Sequence, residues 1–213
     1  MTDQPAGSSA GHDSLSALAL VCTLTPSPTP SSTELMARHL LGRFEARGVS
    51  TSSVRIVDHD VKRGVQVDMG DGDEWPQIRE QVLAADILVL ATPIWMGHPA
   101  SVAQQVLERL NADLSETDDA GRPIMYDKVA TVAVVGNEDG AHHTIAQMFQ
   151  GLNDVGFSIP AQGGTYWVGE AMQTVDYKDL GAIPDPVAST HDGLVRNAVH
   201  LARLLRGQAY PAE

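Results

Sequence analysis

The sequence predicts an α/β domain: a doubly wound, five-stranded parallel sheet of order 2-1-3-4-5 between two helical layers. Three observations predict it. Apolar runs of strand length alternate five times with stretches whose apolar residues recur at helical spacing. The runs at 18–24, 87–91 and 129–135 are continuously apolar, as strands buried on both faces are. Right-handed crossovers then leave few topologies, and the common five-stranded one has its switch point between the first and third strands.

Taken in order, 18–24 is the first strand. The segment 25–33 carries three prolines, which forbid regular structure through it. Ser31, Ser32 or Thr33 can cap a helix starting near Glu34, where Met36, Leu40 and Phe44 follow at helical spacing and Gly48 supplies the C-terminal glycine. A second strand is expected at 54–58, then a polar loop at 61–73. Trp75, Ile78, Val82 and Leu83 mark a helix with Pro76 in its first turn. The third strand, 87–91, leads through a Pro/Gly loop to a helix at 102–110. An acidic surface excursion is expected at 111–128. The fourth strand, 129–135, is broken by 136–140 before a helix marked by Ile145, Met148, Phe149 and Leu152 and ended near Gly156. The fifth strand lies within 158–168. A long loop, 169–189, precedes a last helix through Leu194, Ala198, Leu201 and Leu205, which Gly207 and Pro211 end.

A chain of 213 residues is long enough for one such domain with a full core. Residues 1–14 are rich in Gly, Ser, Asp and Pro and are expected to form a disordered tail before a single domain at 15–213. They lack the basic start and apolar centre of a secretory signal, so a cytoplasmic location is the default expectation. No apolar run reaches the length of a membrane-spanning helix. The net charge of −13 argues against nucleic acid as a partner. The single cysteine, Cys22, excludes an intramolecular disulfide and sits in an apolar strand, where a buried, inert thiol is expected.

In the expected topology the loops after the first, third and fourth strands converge, and they are the three most distinctive loops of the chain. The first offers Thr25, Ser31, Ser32 and Thr33 at a helix N-terminus, where hydroxyls, free N–H groups and the helix dipole suit a phosphate; plain N-capping is the structural alternative. It has neither the glycine pattern of a dinucleotide fingerprint nor that of a P-loop. The second, Pro93, Ile94, Trp95, Met96 and Gly97, combines an aromatic, a thioether and a glycine, which suits a flat aromatic ligand approached by backbone. The third runs through Gly136, Asn137, Glu138, Asp139, Gly140, Ala141 and His142, and its amides can border the edge of a heterocycle. His142 and His143 are adjacent and so share no helix face, and no metal site is expected. There is no Gly-x-Ser-x-Gly nucleophile elbow.

Together the three loops resemble those of the flavodoxin-like NAD(P)H-dependent FMN reductase family, over roughly 15–168. Ser31-Ser32-Thr33, with Thr25 at the start of the loop, match the family's phosphate-holding turn. Thr92-Pro93-Ile94-Trp95-Met96-Gly97 match the turn along the isoalloxazine. Residues 136–142 resemble the segment at the pyrimidine side. The first loop departs from the pattern in carrying prolines where the family often has an arginine and glycines. The resemblance implies bound FMN, NAD(P)H as co-substrate, and a small-molecule electron acceptor such as a quinone, an azo compound or free flavin. It implies no catalytic side chain, because the flavin carries the chemistry. Backbone N–H groups of 93–97 would stabilise the reduced ring. A homodimer or homotetramer is expected, with 164–169 and the long loop after it forming a contact over the flavin. Two other functions on the same fold stay open: an electron carrier without NAD(P)H turnover of its own, and a cofactor-free binding protein.

Overall fold

The computed structural model describes residues 14–171 and 173–212. The tail expected at 1–14 lies outside these residues except for Ser14. The strands are β1 (Ser16–Val21), β2 (Ser50–Arg55), β3 (Ile87–Trp95), β4 (His98–Pro99), β5 (Val129–Gly136) and β6 (Gly164–Val168). The helices are α1 (Ser32–Glu45), α2 (Trp75–Ala84), α3 (Ser101–Leu110), α4 (Ala141–Val155) and α5 (Asp185–Gly207). The parallel strands run β2-β1-β3-β5-β6, which is the expected 2-1-3-4-5 order, and β4 pairs antiparallel to the end of β3.

Side-chain alternation along β1 shows why the sheet is covered on both faces. Ala17, Ala19 and Val21 pack with α1 and α5 residues such as Met36, Phe44, Leu194 and Ala198. Leu18, Leu20 and Cys22 pack on the opposite side with Trp75, Ile78, Val106, Met148 and Leu152 of α2, α3 and α4. Cys22 is fully buried, and burial pushes its thiol well above the ordinary range.

Several elements differ from expectation, each for a physical reason. The second strand is at Ser50–Arg55 rather than 54–58. It is an edge strand whose Ser50, Ser52 and Ser53 face solvent, so it has no apolar run to announce it, and Ile56–Asp58 turn into a 3-10 helix. The third strand does not stop at Ala91 but continues to Trp95 and turns back through β4. The excursion at 111–128 is pinned to the body by Asp113 and Met125, both fully buried. The long loop is shorter than 169–189, because a 3-10 turn forms at Tyr177–Asp179 and α5 starts at Asp185.

Two buried polar groups hold the layers. Arg109 of α3 and Asp73 form a fully buried pair at 2.7 Å. Arg109 also donates to the carbonyls of Lys62, Gln66 and Val67, while Asp73 accepts the N–H groups of Lys62, Met69 and Trp75. The polar loop at 61–73 is thus folded around one ion pair. Burial alone pushes the Asp73 carboxyl up, but those hydrogen bonds bring it below the ordinary carboxylate value. On the other side of the sheet, His191 of α5 sets Nε2 3.3 Å from Met36 Sδ of α1, and its Nδ1 is buried without a partner. Burial, then the charge of Arg43, lowers its pKa to about 4.

Candidate functional site

At the carboxyl edge of the sheet, the loops after β1, β3 and β5 enclose a cleft of about 530 Å³, within the range of small-molecule sites. This is the switch point between β1 and β3. Thr25, Ser31, Ser32, Thr33, Pro93, Ile94, Trp95, Asn137 and Glu138 line it, as expected for a shared site. Met96, Gly97, Asp139, Gly140 and His142 do not.

The first loop ends in α1, with Ser31 as N-cap: its Oγ accepts the Glu34 N–H at 3.4 Å. Ser32 and Thr33 occupy the first turn, where a helix has no internal acceptor for its N–H groups. Behind this loop stands an arginine from β2. Arg55, 6% exposed, donates to the carbonyls of Thr25 and Thr29 and pairs with Glu34 at 2.6 Å. Those two carbonyls therefore point at Arg55, which does not line the cleft.

The second loop is a two-residue β-hairpin rather than an irregular turn. Trp95 faces His98 across it, and Met96 and Gly97 take φ of +53° and +77°, the left-handed pair of a tight hairpin turn. Their N–H groups, expected to face a reduced ring, are already used: Met96 N–H and Gly97 N–H donate to the two carboxylate oxygens of Glu138 at 2.9 and 3.1 Å. The third loop is thus a backing for the hairpin. Gly140 completes it, since a Cβ there would lie 2.8 Å from the Cα and carbonyl oxygen of Gly97. Asp139 and Gly140 stand behind the hairpin, and His142 packs edge-on against Tyr166 with ring centroids 5.1 Å apart. At the tip, Trp95 and Met96 are 56% and 88% exposed.

Asn137 of the third loop lines the cleft. Its Nδ2 donates to Asp176 at 2.8 Å, which fixes the amide orientation because a carboxylate only accepts. Its Oδ1 is buried and has no hydrogen-bond partner among the described residues. Only a glycine fits at 169, where a Cβ would sit 2.3 Å from that oxygen.

Sequence reasoning missed the fourth wall. Gln173, Asp176 and Lys178 reach the cleft from the segment after β6. The Lys178 N–H donates to Ser32 Oγ at 3.1 Å, and its ammonium bonds Asp176 and lies 3.3 Å from Asp179. The hydrogen bond to Asp176 raises the Lys178 pKa above the ordinary lysine value. The available signal was length: a long aperiodic loop inside a compact domain is usually functional. Its aromatic, Tyr177, is buried against Trp167 and bonds His39 Nδ1 through its hydroxyl at 2.8 Å, so this part of the loop packs on its own core.

The donor set suits a flavin mononucleotide. Hydroxyls and helix N–H groups of the first loop, the aromatic hairpin and the Asn137 amide line it together. Comparisons with known proteins agree. The chain is 34% identical to the 8-demethyl-8-aminoriboflavin-5'-phosphate synthase of Streptomyces davaonensis, across 93% of this chain and 81% of that protein. It is 35% identical to a Mycobacterium bovis protein named as the divalent metal cation transporter MntH, across 98% of this chain but only 31% of that protein's length. Among solved structures, RosB with bound 8-demethyl-8-formylriboflavin-5'-phosphate superposes with a TM-score of 0.84 at 34% identity, covering 92% of this chain and 82% of that one. An apo NADH:FMN oxidoreductase shares the fold, with a TM-score of 0.59 at 19% identity over 93% and 91% of the two chains. The family model described as NADPH-dependent FMN reductase matches residues 17–173. The chain belongs to the NADPH-dependent FMN reductase family.

Proposed function

We propose that the protein is an FMN-dependent oxidoreductase that takes hydride from NAD(P)H and passes it to a small acceptor such as a quinone, an azo compound or free flavin. The observation that carries this reading is the cleft itself, with phosphate-type donors at Ser31, Ser32 and Thr33 and a ring-sized opening bounded by Pro93, Ile94 and Trp95. When bound, FMN supplies the two-electron chemistry. The chain's own residues position it. Ser32, Thr33 and the first turn of α1 hold the phosphate. Trp95 covers one side of the ring and limits solvent. Asn137, held by Asp176, borders the pyrimidine edge of the ring. Glu138 keeps the hairpin in one shape, so the ring meets a rigid edge, and no side chain is asked to move a proton.

A second reading has its own observation. The relatives at 34% identity are named for a riboflavin phosphate product and hold a riboflavin phosphate intermediate, whereas the cited oxidoreductase is 19% identical. On that reading the flavin is the substrate and is changed in the cleft. One experiment separates the two. The purified protein is loaded with FMN, titrated anaerobically with NADH and NADPH, then reoxidised by a quinone, and the recovered flavin is weighed by mass spectrometry. Bleaching on titration, reoxidation by the quinone and an unchanged flavin mass support the oxidoreductase. No bleaching refutes it; with a carrier, dithionite alone would reduce the flavin, and with the second reading the recovered mass would change when amino and redox co-substrates are supplied.

The exposed hairpin tip and Tyr166, 40% exposed, are the surface on which a second copy would pack. Light scattering reporting a monomer at micromolar concentration would count against that homodimer.

A further inference from the structure

Within the cleft, one cation stands among the lining residues, and it comes from beyond the matched part of the chain. Lys178 lies after residue 173, in the 3-10 turn Tyr177–Asp179. Its backbone N–H is fixed to Ser32 Oγ at 3.1 Å, so the residue sits over the first turn of α1. Its ammonium is held by Asp176, which also accepts Asn137 Nδ2 at 2.8 Å. Asn137, Asp176 and Lys178 therefore form one bonded path from the pyrimidine end of the cleft to the phosphate end.

We propose that Lys178 is the residue that reads the ligand's 5'-phosphate, with Asp176 as its internal counter-ion while the cleft holds no phosphate. The inference rests on the flavin reading above and deepens it. Ser31, Ser32, Thr33 and the helix N-terminus supply only neutral donors and a partial charge. A phosphate monoester near neutral pH carries almost two negative charges, so an ammonium beside those donors is what separates FMN from riboflavin. The lysine stem gives the reach, and the fixed backbone N–H keeps the stem rooted.

The test is binding rather than turnover. Dissociation constants for FMN and riboflavin are measured by quenching of flavin fluorescence with wild type, Lys178→Met and Lys178→Arg. Methionine keeps the stem and removes the charge; arginine restores the charge. Losing a charge-assisted hydrogen bond predicts FMN affinity about 10-fold to 100-fold weaker in Lys178→Met. Riboflavin affinity should move less than about twofold, and Lys178→Arg should recover most of the FMN loss. Equal weakening of both flavins, or unchanged FMN binding, overturns the inference while leaving the flavin reading intact. Unchanged FMN binding with weakened NADPH binding would also overturn it, assigning the ammonium to the nucleotide. Wild type that binds neither flavin would overturn both at once.

Discussion

His191 makes the protein's stability depend on pH in a way that can be worked out. The ring is fully buried beneath α1, with Nε2 against Met36 Sδ and Nδ1 unpartnered, so no acceptor inside the fold welcomes a second proton. Its pKa is lowered from 6.5 to about 4. A base held neutral in the folded state binds fewer protons than in the unfolded chain, so stability is lost as pH falls below 6.5 and the loss levels off near 4. Between pH 7 and pH 5 the difference in proton binding amounts to about 2 kcal/mol. Urea unfolding of the flavin-free protein at the two pH values, for wild type and His191→Leu, isolates this term. The leucine variant's own packing cost appears at both pH values and cancels, as do the contributions of other titrating groups. His39, also lowered by burial and by Arg43 and Arg38, remains in both proteins. Wild type should lose about 2 kcal/mol more than His191→Leu over that interval. Equal losses in the two proteins would refute the reasoning and mean that water reaches the ring.

The other predictions concern the site and its supports. Glu138→Ala removes the acceptor for the Met96 and Gly97 N–H groups and should lower stability by about 1–3 kcal/mol and weaken FMN binding, both read by thermal melts with and without flavin. Unchanged melts would mean the hairpin stands on its own. Gly140→Ala drives a Cβ against the Gly97 backbone at a φ of +106° and should lower the melting temperature by about 4–8 °C, for a cost of about 2 kcal/mol. Arg109→Met leaves Asp73 charged, buried and unpaired, and should cost about 3–5 kcal/mol in urea unfolding. The Cys22 thiol should react with a thiol reagent only as fast as the protein unfolds, a rate checked by matching labelling to unfolding kinetics.

Much of the fold was legible because its central strands are buried on both faces. Such a strand is apolar along most of its length, as β1, β3 and β5 are apart from Ser16, Thr92 and Thr131. The edge strand β2 was misplaced for the converse reason: Ser50, Ser52 and Ser53 meet water, and only Val54 and Arg55 are buried. The hairpin was missed because its left-handed turn opens on Met96, and Pro93 stands in the strand before it. Neither signals a hairpin, and the conformation is secured instead by Glu138, 41 and 42 residues away in sequence. The same holds for Arg109. Its helix spacing shows an apolar position, and nothing local reveals that Asp73 and three loop carbonyls make a charge acceptable there. The candidate site was legible where chemistry and loop coincide, at Ser31-Ser32-Thr33, Pro93 to Trp95 and Asn137. It was illegible at Asp176 and Lys178, which a long connection returns to the cleft.

On the flavin reading, a strongly acidic chain holds an anionic ligand, which sets an electrostatic problem. Long-range repulsion from a net charge of −13 is damped beyond roughly 8 Å at physiological salt, so the contest is decided by groups within the cleft. There, each carboxylate is already engaged. Glu138 accepts two backbone N–H groups, Asp176 takes an amide and an ammonium, and Glu34 is turned toward Arg55 at the outer side of the first loop. The groups with donor capacity left are of the opposite character: the N–H groups of Ser32 and Thr33 and the hydroxyl hydrogens beside them. Arg55 serves this pattern without touching the cleft, because by drawing the carbonyls of Thr25 and Thr29 onto itself it keeps two acceptors away from the phosphate end. The arginine the first loop lacks is therefore not a missing part. Its charge is divided between Arg55, which shapes the loop from behind, and Lys178, which faces the cleft.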